Sequence, residues 1–362
     1  MPSHRSQAKN RKPKICDLEH ETCNLQLATW DLRPETCNMK RVTWNVLKIG
    51  VTLAIIVFLF SRVDLAVMAQ HLANANYLLL LIALAMYFLA IAIGALKWQV
   101  LVRAQNLNDS FADLLIYSLV GLFFGNLLPS NVGGDVVRAY GLVRATGRAE
   151  AAAISVLVDR LMGLVAFLGA AVVMAALAAI TLTRGSELEQ IEMATVVAAA
   201  LFIFAAALMF SRRVAQRVKW IFELALFKRF EPIAQRIYHA LQVYRHSYRA
   251  LVANLTLSIC IVVVTTVVWY SVALALGVDA SIFYFFLFNP LIAFVLLIPL
   301  SFNGLGPKEA TAVFFFGLVG VPGELALAMS LIFHLIVVLT SLPGGLLWWH
   351  ERALAPASEA SK

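Results

Sequence analysis

Seven ionisable side chains interrupt stretches that are otherwise strongly apolar: Asp135, Arg138, Asp159, Arg160, Lys308, Glu309 and His334. A charge near the centre of an apolar helix costs roughly 2.5–3.5 kcal/mol on insertion scales, so each must face protein or water. Asp159 and Arg160 are neighbours, and neighbouring positions on a helix point about 100° apart. They therefore pair elsewhere, and the expected partners are Arg138 for Asp159 and Asp135 for Arg160. Two uses of such pairs stand side by side: contacts for a polar ligand, or a clasp holding one segment against another. His334, inside the last apolar stretch, is a candidate proton carrier or a hydrogen-bonded packing residue.

Two of the charged sites belong to short polar breaks. The first runs Pro129-Ser130-Asn131-Val132-Gly133-Gly134-Asp135-Val136-Val137-Arg138, and the second Pro299-Leu300-Ser301-Phe302-Asn303-Gly304-Leu305-Gly306-Pro307-Lys308-Glu309. Lipid cannot hydrogen-bond a freed backbone, so breaks of this kind persist only against protein or water. After Gly134 and after Gly306 the chain can restart as a helix, with Pro307 suited to a first helical position because its missing donor is an orphan there. The helix N-termini so formed offer amide donors and partial positive charge to a phosphate or carboxylate. Gly133, Gly134, Gly304 and Gly306 allow close approach to the backbone. Asp135 and Glu309 can also satisfy those donors themselves, which would leave Arg138 and Lys308 as the main partners of an anion. Ser130, Asn131, Ser301 and Asn303 either coordinate an ion or headgroup or cap the broken helices.

The elements that carry these residues follow from hydropathy. The chain is 61% hydrophobic and 14% charged, with mean hydropathy +0.82, far from the roughly 25% charge of a soluble domain. It reads as an all-α polytopic membrane protein. Spans are predicted at 44–61, 77–96, 151–181, 194–210, 251–276 and 324–349, with shorter apolar segments at 111–128 and 282–298 running into the breaks. Trp44, Trp98, Trp269, Trp348 and Trp349 fall near predicted span ends, as interfacial aromatics do.

Orientation comes from Lys and Arg in the connections. Segment 211–250 carries nine such residues against Glu223 and Glu231, while 182–193 has Arg184 against Glu187, Glu189 and Glu192. The former is expected in the cytoplasm and the latter outside, with Lys97 and Arg103 marking another cytoplasmic end. Both termini then lie in the cytoplasm. Segment 111–138 must enter and leave from the cytoplasmic side, and 282–322 from the other. The expected architecture is thus about six full spans plus two opposed re-entrant helical hairpins, resembling an inverted repeat. Segment 211–250 itself is predicted to form basic amphipathic helices on the inner leaflet. Residues 43–350 form one transmembrane domain, 351–362 a short tail, and 1–42 a polar, disordered extension of which 1–38 are expected to be dispensable. The net charge of +8 sits in loops where topology alone demands it, so nucleic acid is not an expected partner. Cys16, Cys23 and Cys37 lack the spacing of a common zinc site; no metal or cofactor is expected.

Enzyme signatures are missing: no G-x-S-x-G, H-E-x-x-H, phosphate-binding loop or dinucleotide fingerprint occurs. The first break, followed by Gly147 and Ser155-Val156-Leu157-Val158-Asp159-Arg160, together with the second break through Ala310, resembles the transmembrane region of lysylphosphatidylglycerol synthases. The resemblance covers roughly 40–350 and extends to stand-alone members of that family, some of which accompany hopanoid or glycolipid genes in bacteria. It departs at Lys308, where the family often has Arg. In the fused proteins this region is implied to move an aminoacylated phospholipid between leaflets, while a separate cytosolic domain does the aminoacyl transfer. That domain is not expected here, so synthase activity does not carry over. What the resemblance implies is a bacterial inner-membrane lipid translocase, not an enzyme. It would use Pro129, Gly133, Gly134, Asp135, Arg138, Asp159, Arg160, Asn303, Gly304, Gly306, Lys308 and Glu309. Its expected partner is a membrane lipid: an anionic phospholipid, an aminoacylated lipid, or a glycolipid or hopanoid. The alternative is a membrane scaffold that hands lipid to a separate lipid-modifying glycosyl- or aminoacyl-transferase.

Overall fold

The computed structural model describes residues 50, 57–58, 61, 65–127, 133–181, 242–244, 247–295 and 304–354. The described residues form helices and no strands. In chain order the helices are α1 (Leu65–Ala73), α2 (Tyr77–Ala104), α3 (Phe111–Leu127), α4 (Gly133–Thr146), α5 (Ala149–Thr181), α6 (Tyr248–Ala275), α7 (Ile282–Val295), α8 (Pro307–Gly317) and α9 (Gly323–Leu354). Four of these are long and apolar enough to cross a membrane: α2, α5 over Ala149–Met174, α6, and α9 over Gly323–His350. They match four of the six expected spans. The span expected at 194–210, most of that at 44–61, and both 1–42 and 211–241 lie outside the described residues.

Several boundaries differ from the sequence expectation. Helix α2 starts where Asn76 caps it, its side chain accepting from the backbone N–H of Leu78 (3.1 Å) and Leu79 (3.3 Å). It runs eight residues beyond the expected end at 96, to Ala104, so Lys97 is not in a loop. Helix α6 begins at Tyr248, which takes the end of the segment read as a surface helix into the long helix itself. Helix α4 continues past the expected hairpin end at 138 to Thr146, and α9 passes 350 to Leu354. Helix α1, between the first two expected spans, was not anticipated.

The bundle centres on α2, which packs along α6 and against α5. Helices α2 and α6 are antiparallel: Asn254 Nδ2 reaches the Lys97 carbonyl (2.8 Å) near one end, and Asn76 N–H reaches the Ala275 carbonyl (2.8 Å) at the other. Helix α5 also opposes α2, with Gln105 Nε2 donating to the Ala151 carbonyl (3.1 Å) and Trp98 Nε1 donating to Ser155 Oγ (3.0 Å). The end shared by Ala104, Ala149 and Tyr248 is tied further by Tyr244, whose hydroxyl donates to the Leu101 carbonyl (3.1 Å) and accepts from Gln105. Burial pushes the Tyr244 phenol up, so it stays neutral at this junction.

Helices α3 and α4 pack as an antiparallel pair. Tyr117 lies against Gly141, Gly121 against Arg138 and Gly134, and Gly125 against Gly134. The contact is backbone to backbone: a Cβ on Gly134 would meet the Gly121 carbonyl oxygen at 2.5 Å. Small residues permit this approach, as in other membrane helix pairs. On the far face of α3, Gly344 and Gly345 of α9 press on the Leu119 backbone and the Phe123 ring. Helices α7 and α8 join through rings, with Phe288 centred 5.3 Å from both Phe315 and Phe316. Of the tryptophans assigned to span ends, Trp98 and Trp269 are fully packed in the interior, whereas Trp349 is exposed. Trp98 is held inward by its bond to Ser155 and by the Arg138 guanidinium, 4.4 Å from its ring centre.

Candidate functional site

Asp159 lies ten residues into α5, about 15 Å from its start at 1.5 Å per residue, and is 3% exposed. Its carboxylate is surrounded by three helices. Arg138 Nη2 of α4 donates to Oδ2 (3.2 Å), Lys97 Nζ of α2 lies 3.2 Å from Oδ1, and Asn254 Nδ2 of α6 donates to Oδ1 (3.0 Å). Lys97 also donates to the Asp159 backbone carbonyl (3.1 Å) and to Ser258 Oγ (3.3 Å). Arg138 then reaches one turn back to Asp135, with Nη1 to Oδ1 3.5 Å, and Asp135 in turn receives Arg160 Nη1. The result is an alternating chain of charge: Lys97, Asp159, Arg138, Asp135, Arg160.

The pairing expected from the sequence, Asp159 with Arg138 and Arg160 with Asp135, is the pairing observed. Sequence reasoning missed Lys97, taken as a cation marking a cytoplasmic loop, and missed Asn254 and Ser258 altogether. A signal for the last two existed: polar residues four apart on an apolar helix share one face, and that face had to meet polar groups.

These side chains wall a cavity of about 440 Å³. Lys97, Asp135, Arg138, Asp159 and Arg160 line its polar side; Gly121, Gly125 and Gly134 form its α3–α4 wall, and Tyr87 and Ala293 close it from α2 and α7. Arg138 Nε is buried with no hydrogen-bond partner among the described residues. The Asp135 carboxylate meets both Arg138 and Arg160. Of the first break, Gly133 opens α4 and Gly134 lines the cavity; Pro129, Ser130 and Asn131 lie outside the described residues.

The second break builds a different object. Gly304 (φ 73°) and Gly306 (φ 90°) adopt left-handed backbone that suits glycine, and Pro307 starts α8. Glu309 reaches back so that Oε2 accepts from the Gly306 N–H at 2.7 Å, the carboxylate half of a capping box. This carboxylate satisfies the terminus of α8. Glu309 Oε1 also accepts from Ser330 Oγ (3.3 Å) and lies 3.3 Å from Lys308 Nζ, which in turn lies 3.2 Å from His334 Nδ1. Lys308 and Glu309 are buried at 4% and 1% exposure. His334 is thus not alone. Ser301 and Asn303 lie outside the described residues.

Long apolar helices packed around a charged cavity define a multi-pass α-helical membrane protein with a polar chamber inside its bundle. Residues 45–344 match the lysylphosphatidylglycerol synthase TM region, and the chain belongs to that family. It is similar to a UPF0104 membrane protein of Methanothermobacter thermautotrophicus, 26% identical over 285 residues that cover 73% of this chain and 82% of the relative. A UPF0104 membrane protein of Pyrococcus horikoshii is 26% identical over 120 residues, 32% of this chain and 35% of that protein. No solved structure matches the chain.

Proposed function

We propose that this protein moves a lipid between leaflets, lodging its headgroup in the cavity between the α3–α4 pair and α2, α5 and α7. The observation that carries the reading is the cavity itself: about 440 Å³ with three cations and two carboxylates on its wall. A chamber of headgroup size with that lining is costly to keep inside an apolar bundle unless a polar ligand uses it. Arg138 Nε, buried without a partner among the described residues, is a donor suited to a phosphate or carboxylate oxygen. Family membership points the same way.

In this reading 111–146 and 282–322 are re-entrant hairpins approaching from opposite faces, within a total of about six spans. Both termini lie in the cytoplasm, and the membrane is the bacterial inner membrane. The protein performs no covalent chemistry on the lipid. The test is reconstitution of purified protein into liposomes carrying a labelled lipid accessible to a quencher from one side only. Translocation sets the labelled fraction equilibrating across leaflets; protein that leaves the label static, while Gly133→Leu still cripples cells, would establish the scaffold role instead.

A further inference from the structure

Two rings in series, Phe333 and Tyr87, link the Lys308–Glu309–His334 cluster to the cavity. Tyr87 lines the cavity and packs edge-on to Phe333 at 5.7 Å; Phe333 stacks on Trp269 at 4.6 Å, and Lys308 Nζ lies 5.6 Å from the Phe333 ring centre. Phe333 precedes His334 in the chain, so any shift of Lys308 or His334 bears on the ring that meets the cavity wall.

Within the cluster the roles are unequal. Glu309 is fixed, because its two oxygens hold the Gly306 N–H and the Ser330 hydroxyl as well as Lys308. With Lys308 charged against Glu309, the ammonium has no lone pair, so across the 3.2 Å contact His334 Nδ1 is the acceptor and the neutral ring carries its proton on Nε2. The cluster then holds one negative and one positive charge and is neutral. His334 is half-buried while Lys308 is fully buried, which makes the imidazole the more accessible member. Among the described residues the titratable groups facing it are Lys308 and Glu309 of α8, with the Tyr87 phenol of α2 beyond Phe333; α6 presents Trp269.

We propose that Lys308 and His334 form a proton-binding switch that couples lipid movement to a proton gradient. A proton taken up on His334 Nδ1 creates an imidazolium and leaves two cations sharing one carboxylate. The ammonium must leave Nδ1, and Lys308 is the partner able to move, having a flexible four-carbon stem beside a carboxylate that is pinned. Loss of the proton from His334 restores the contact. No covalent bond other than that N–H forms or breaks.

This inference rests on the lipid-moving reading, and the two fail differently. The probe is labelled phosphatidylglycerol in liposomes of phosphatidylethanolamine and phosphatidylglycerol, with inside and outside buffered at equal or different pH. The gradient is expected to change the wild-type rate severalfold. His334→Gln, which keeps an acceptor for Lys308 but cannot titrate in this range, is expected to move lipid equally fast in both conditions. Equal wild-type rates overturn the proton coupling and leave translocation standing; no lipid movement in either condition overturns both. Nitrogen-15 NMR of the histidine rings, with His334 assigned through His334→Gln, gives a readout independent of lipid. Nδ1 of His334 is expected to be unprotonated at neutral pH and to take up a proton at higher pH in Lys308→Met. A protonated Nδ1 in the wild type at neutral pH refutes the switch.

Discussion

Replacing Asp159 by Asn keeps the shape of the side chain and removes its charge. In the native protein this carboxylate lies 3.2 Å from Lys97 Nζ and 3.2 Å from Arg138 Nη2, each contact corresponding to about 5 kcal/mol at an effective dielectric near 20. Most of that offsets the cost of burying the three groups. What the variant loses is set by the cations left behind: removing one partner of a buried pair typically costs about 3–5 kcal/mol. Arg138 keeps Asp135, and Lys97 keeps Ser258 and a backbone carbonyl, which favours the lower end. At about 2–4 °C per kcal/mol for a large domain, the apparent Tm in detergent should fall by about 6–20 °C. Lys97→Met combined with Asp159→Asn removes one charge of each sign, so the double variant should recover part of the loss. The assay is fluorescence-detected unfolding of purified protein, run beside the liposome assay. An Asp159→Asn protein that melts within a degree of the wild type would refute the claim that this carboxylate organises the three helices around it.

Asp135→Arg and Arg160→Asp should each abolish lipid movement, while the two together restore it, because the pair links α4 to α5; absence of rescue in the same liposome assay would sink the pairing as a functional element. Gly134→Ala places a methyl 2.5 Å from the Gly121 carbonyl and should cost about 1–3 kcal/mol as overpacking. Gly169→Ala, with nothing within 4 Å of its Cβ, should be neutral or raise Tm slightly through helix propensity; parallel melting curves make the comparison. Asn76→Ala removes the cap of α2 and should cost about 1 kcal/mol, read as a Tm decrease of a few degrees.

The membrane class, four of the long helices and the two cross-pairs of charge were legible in the chain alone. The reason is energetic: an apolar run of spanning length has few alternatives to a helix in lipid, and a charge stranded in such a run must find its complement. Asp135, Arg138, Asp159 and Arg160 were few enough, and close enough in sequence, for that requirement to select partners. Lys97, Asn254 and Ser258 were not legible as part of the same cluster. A lysine near the end of an apolar run is ordinarily an interfacial anchor, and its inward position depends on Asp159 arriving from α5 and on polar groups arriving from α6. Trp98 and Trp269 misled for the same reason, since the ring layer and the Arg138 contact that bury them come from other helices. The partner of His334 was not legible either, since only α8 brings Lys308 to its Nδ1. Local energetics determined which residues had to be satisfied and selected the two cross-pairs; only the packing of α2, α4, α5, α6, α8 and α9 decided the remaining partners, because groups such as Lys97 and Ser258, 161 residues apart along the chain, meet only when the bundle closes.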